Sequence, residues 1–144
     1  MSQPQTNYWI HRRLPVLQKT LRDLGMKAER NGQLVSQIIE VQEGGANLSL
    51  DAPERELQRP LKREKQTEKY SGKKKTDTDK NLLLVNENTK KVVSLSPTVE
   101  GKKQAKKLAD ESRMSYPENA SLTQDRGLPG YQPKGVLVQQ PKKT

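Results

Sequence analysis

The stretch Leu82-Leu83-Leu84-Val85-Asn86-Glu87-Asn88-Thr89-Lys90-Lys91-Val92-Val93-Ser94-Leu95 contains the longest uninterrupted apolar run of the chain, residues 82–85. It predicts two short strands, 82–85 and 90–95, around a four-residue turn at 86–89. A lone hairpin is marginal in water, so the fold depends on what the flanking sequence can lay against it.

By composition the flanks offer little. The chain has 144 residues, room for one ordinary domain, and only 30% of them are hydrophobic, against roughly 45–50% in an average globular chain. Leu, Ile and Val number 29, there is no Phe, and mean hydropathy is −1.03. These values lie at the edge of the disordered class. The fold class expected is a mostly disordered or extended chain with no large independent core. It carries an α-helical N-terminal segment, a short β-hairpin and one further helix.

Upstream of the hairpin, Ile10, Leu14, Leu17, Leu21 and Leu24 fall within a helical arc of about 80°. Pro15 suits a first turn and Gly25 a C-terminal cap, which places the helix at 15–24. Leu34, Val35, Ile38, Ile39 and Val41 form a second apolar cluster that reads as helix or strand. Helix is preferred because Gln33, Gln37, Glu40 and Gln42 fill the gaps, giving an αα-hairpin punctuated by Asn31-Gly32 and Gly44-Gly45. Asn-Gly is equally a β-hairpin signal. Residues 8–43 are therefore a helical docking or self-association segment, with Leu14, Leu17, Leu21, Leu24, Leu34 and Ile38 as its contact residues.

Residues 44–81 contain few apolar side chains and are interrupted by Pro53 and Pro60, the composition of a basic disordered linker. Downstream, Ser96-Pro97 suits the start of a helix reaching Arg113, completing a unit at 82–113. Lys102, Lys103, Lys106 and Lys107 share one side of that helix, and small residues occupy the other. Residues 114–144 read as an extended Pro/Gly-rich basic tail, with a short strand at 136–138.

Charge follows this division. Residues 1–60 carry a net +1, residues 61–91 a net +5 and residues 92–144 a net +4, for a total of +10. A docking segment joined to a polycation points to acidic partners, above all nucleic acid, RNA or DNA. The candidate polyanion contacts are Lys62, Arg63, Lys65, Lys69, Lys73, Lys74 and Lys75 in the first basic block, and Lys102, Lys103, Lys106 and Lys107 in the second. Lysine outnumbers arginine 18 to 9, which favours phosphate neutralisation over base reading and hence weak sequence preference. Tyr70, Tyr116 and Tyr131 are too widely spaced in sequence to form a row of stacking platforms.

The remaining classes are excluded residue by residue. With no Cys and a single His, His11 beside Arg12 and Arg13, there is no thiolate chemistry and no multi-histidine metal site. No phosphate-binding glycine loop, G-x-S-x-G elbow or H-E-x-x-H pair is present. The expectation is a non-enzymatic protein without cofactor, metal or small-molecule substrate. With no apolar stretch long enough for a membrane span and no signal-like N-terminus, it is expected to be soluble, intracellular and without a membrane partner. An architectural component of a large assembly, a ribonucleoprotein, virion or filament, is the alternative function.

Overall fold

The computed structural model describes residues 1–39 and 45–141. Its elements run α1 (Gln3–Asp23), a 3₁₀ turn (Gly32–Leu34), α2 (Val35–Ile38), β1 (Asn47–Asp51), β2 (Glu54–Glu56), α3 (Arg63–Lys69), β3 (Tyr70–Ser71) and β4 (Thr76–Lys80). They continue as β5 (Leu83–Asn86), β6 (Lys91–Leu95), β7 (Val99–Glu100), α4 (Ala105–Ser112), β8 (Ser121–Gln124) and β9 (Leu137–Gln139).

The hairpin at 82–95 forms as β5 and β6, and it is the start of a larger sheet ordered β6-β5-β1-β8-β9. β1 is the organising strand. It runs antiparallel to β5, with Leu50 opposite Leu84, and parallel to β8, with Leu48 opposite Leu122. Side chains alternate across a strand, so these four leucines project to one face, and each is at most 1% exposed. Leu82, Val35, Leu128 and Tyr131 join the same cluster, and α4 covers part of it with Leu108 and Ala109. Backbone bonds from Glu29 N to Val93 O (2.8 Å) and from Leu95 N to Glu29 O (3.0 Å) cover the outer edge of β6.

The second sheet is ordered β2-β4-β3, with β7 also paired to β4. It is held by polar groups. Glu54 and Lys80 form an ion pair at 3.1 Å with side chains only 10% and 7% exposed. Lys80 Nζ also donates to Lys103 O (2.7 Å) and Gly101 O (3.2 Å), while Ser71 Oγ and Thr78 Oγ1 donate to Glu54 Oε2 at 2.7 and 3.3 Å. Glu54 and Lys80, both largely removed from water here, each meet an opposite charge and further dipoles, which is the condition for burying them. Asn81 and Ser96 join the two sheets: Asn81 Nδ2 donates to Ser96 O (2.8 Å) and Leu82 N donates to Ser96 Oγ (2.8 Å).

This architecture corrects the expected fold class. The described residues are not disordered or extended: they fold into two sheets and four helices around one packed core. The segment at 44–81 is no linker, since its described part carries β1, β2, α3, β3 and β4. The composition misled because the small sheet is cemented by Ser71, Thr78 and Lys80, all buried, together with Glu54, rather than by aliphatic side chains. The described part of the tail is likewise ordered, with β8 between β1 and β9 in the large sheet and Leu122, Leu128 and Tyr131 buried.

The expected helix boundaries also move. Ser96-Pro97 starts no helix, because Ser96 Oγ is occupied by Leu82 N and Val99–Glu100 joins β4; α4 begins only at Ala105. α1 starts at Gln3 instead of residue 15, launched by a capping box between Ser2 and Gln5 with Pro4 in its first turn, so Pro15 lies inside it. The second apolar cluster forms only the 3₁₀ turn and α2 before the backbone extends at Ile39; Val41 lies outside the described residues.

Candidate functional site

The basic segments separated in sequence meet on one face of the small sheet. α3 delivers its last turn directly into β3, and residues 72–75 close the β3–β4 hairpin. Ser71 shapes this loop from both its backbone and its side chain: Lys75 N donates to Ser71 O (2.7 Å) and Lys74 N to Ser71 Oγ (3.3 Å). Lys75 is consequently held at φ 56°, a left-handed conformation that costs a non-glycine residue about 1–2 kcal/mol. Gln66 fastens α3 to the preceding segment, donating from Nε2 to Pro60 O (2.6 Å) and accepting from Arg59 (3.1 Å).

Gly101 brings the second basic segment alongside. Its N–H donates to Thr78 O (2.8 Å), and a Cβ at this position would overlap Thr78 Oγ1 and stand 2.8 Å from that carbonyl oxygen. Only glycine lets the chain come this close to β4. With Lys80 gripping the carbonyls of Gly101 and Lys103, Lys102 is fixed between two anchored neighbours.

A cavity of about 790 Å³ opens between these parts. Arg59, Arg63, Lys75 and Lys102 line it, together with Tyr70, Asp77, Leu57 and residues of α3. A neighbouring hollow of about 430 Å³ shares Tyr70, Gly72 and Lys102 and adds Lys73, Lys103 and Lys106, but also Asp51, Glu54 and Asp125. The larger cavity is the more one-signed, with four cations to one carboxylate.

Ion pairs sort the expected contacts. Lys69 is paired with Asp79, Lys103 with Glu111 and Lys106 with Asp110. Their charge is largely neutralised locally. Lys62 and Lys65 lie on or beside α3, and Lys74 at the hairpin tip, without lining either cavity; Lys107 lines a third depression with Glu68 and Glu100. Of the eleven expected contacts, Arg63, Lys75 and Lys102 therefore converge on the main cavity, and Lys73 stands at its neighbour. Arg59, Tyr70 and Asp77 were not among them. Glu54, beneath this face, stays ionised: burial raises its carboxyl pKa, but the hydrogen bonds from Ser71, Lys80 and Thr78 and the charge of Lys80 outweigh that and hold it below the ordinary value.

The expected protein-docking residues lie elsewhere. Leu14, Leu17 and Leu21 are on α1 and Leu24 caps it, and no residue of α1 is buried. Leu34 and Ile38 are 39% and 48% exposed. Tyr8 and Trp9 form an edge-on pair (centroids 5.3 Å apart), with Arg12 and Arg13 set over their rings. Among the described residues no cluster of three His, Asp or Glu could hold a metal, and no helix is long and apolar enough to cross a membrane.

Comparison with known protein families, with curated protein sequences and with solved structures gave no match for this chain.

Proposed function

We propose that this chain is a non-enzymatic interaction module that contacts nucleic acid or another polyanion through the face of its small sheet, without strong sequence specificity. A second protein, or a second copy, engages the exposed leucines of α1. The carrying observation is the convergence of Arg59, Arg63, Lys75 and Lys102, drawn from three parts of the chain, on one cavity. Phosphates release condensed counterions when they bind such a cluster, so affinity depends steeply on salt. Titration of a labelled single strand at two salt concentrations tests this. With four or five phosphates neutralised, log affinity should fall against log salt with a slope of about −2.8 to −3.5. The double variant Lys75→Gln with Lys102→Gln should shrink that slope by between one and two. Salt-independent affinity, or none, rules the reading out.

The architectural alternative rests on α1, none of whose residues is buried by the described part of the chain. It predicts stoichiometric co-purification with a complex that survives nuclease and high salt.

A further inference from the structure

We infer that the 790 Å³ cavity accommodates one nucleotide unit, its base unpaired and laid against Tyr70 and its phosphate on the surrounding cations. This deepens the polyanion reading and rests on it.

A surface that merely follows a string of phosphates needs cations and nothing more. This cavity has two further components. Tyr70 is 48% exposed and lines both hollows. Among the described residues no ring or cation covers it, whereas Tyr8 and Trp9 each lie under an arginine. An uncovered phenol ring in a cation-lined cleft suits a flat, electron-poor heterocycle, since every base has a face to stack.

Asp77 is the second component. It sits directly opposite Tyr70 in the β3–β4 ladder, so the two side chains leave the same face of the sheet with Cβ atoms about 4.5–5.5 Å apart. Asp77 is only 6% exposed, lines the cavity and takes part in none of the ion pairs of this face. A carboxylate only accepts hydrogen bonds and repels phosphate. It therefore selects for a donor, which in a nucleotide means a ring N–H, an exocyclic amino group or a ribose hydroxyl, and its place directly opposite Tyr70 favours the edge of a base stacked there. The result is an orientation: base inward beside Tyr70 and Asp77, phosphate outward toward Arg59, Arg63, Lys75 and Lys102. Guanine presents two donors side by side and fits the two oxygens of Asp77, whereas uracil presents one donor flanked by acceptors. The cavity's size lies within the ~300–1,000 Å³ usual for small-ligand sites.

The test uses the full chain and fluorescence anisotropy. The probes are a mixed-sequence single strand of about 12 nucleotides, an abasic strand of equal length and charge, and the corresponding duplex, with GMP and UMP as competitors. The strand with bases should bind about tenfold more tightly than the abasic strand. Tyr70→Leu should erase that advantage and leave abasic affinity within about twofold, while Tyr70→Phe keeps it. GMP should compete better than UMP, and Asp77→Asn should narrow the gap; if Asp77→Asn does not fold, the Tyr70 pair still decides. GMP binding as tightly as the strand identifies a free nucleotide as the source of the unit, and a tighter strand identifies the polymer. Both support the assignment. Equal, salt-dependent binding of the base-bearing and abasic strands overturns it while leaving the polyanion reading intact, as does a duplex that binds as tightly as the single strand. No binding by any probe overturns both.

Discussion

The two sheets of this protein exclude water by opposite means. In the five-stranded sheet Leu48, Leu50, Leu84 and Leu122 meet across neighbouring strands, and the stabilisation is the removal of hydrocarbon from water. In the small sheet Glu54, Ser71, Thr78 and Lys80 meet instead, and the stabilisation depends on each polar group finding its partner. The first arrangement tolerates imperfect partners; the second does not, because a buried charge left alone is far costlier than a small void.

The largest effect should come from breaking the polar arrangement on one side only. Glu54→Ala strands Lys80 below the surface and should cost about 3–5 kcal/mol in urea denaturation followed by circular dichroism. Replacing both partners, Glu54→Leu with Lys80→Met, should recover most of that loss. Acid should act on the same group. The native carboxyl of Glu54 titrates below its ordinary 4.5, so the stability it contributes is complete above that pH and is lost as pH falls toward the native value.

Next in size, Leu84→Ala removes a side chain that is 0% exposed and should cost about 2–5 kcal/mol through lost burial and the cavity left behind. This loss should be the same at pH 4 and pH 7, in contrast to the acid sensitivity of the small sheet. A Leu84→Ala penalty that grew in acid would break the contrast between the sheets. Smallest of all, the paired change Leu17→Asp and Leu21→Asp should leave the melting of the body within about 1 kcal/mol, because no residue of α1 is buried and Leu21 alone of its residues is half-buried. Sedimentation or capture of a partner, and not stability, should register it.

This contrast also explains what was legible in the sequence. The hairpin at 82–95 was visible because alternation and turn chemistry are local, although its loop is 87–90 and not 86–89. The strand at 136–138 was nearly right, with β9 at Leu137–Gln139. β1, β4 and β8 were missed for a shared reason: they place leucine or threonine inward from short polar sequences, and only pairing across the chain makes their pattern meaningful. Nothing local marks Lys80 as buried, since its partners come from residues 54, 101 and 103. For the candidate site, counting lysines found Arg63, Lys75 and Lys102. It could not separate them from Lys69, Lys103 and Lys106, whose carboxylate partners lie four to ten residues away. Tyr70 has no aromatic neighbours in sequence, and only the β3–β4 pairing sets it opposite Asp77 at the cavity.

α1 has 21 residues and so extends about 30 Å at 1.5 Å per residue. A polymer resting in the cationic cleft and a protein grasping this rod would be tethered within a few nanometres of each other. Where that polymer and that protein belong to one assembly, the second encounter becomes intramolecular, at an effective concentration on the order of millimolar. Two individually feeble grips would thus act as a single tenacious clamp.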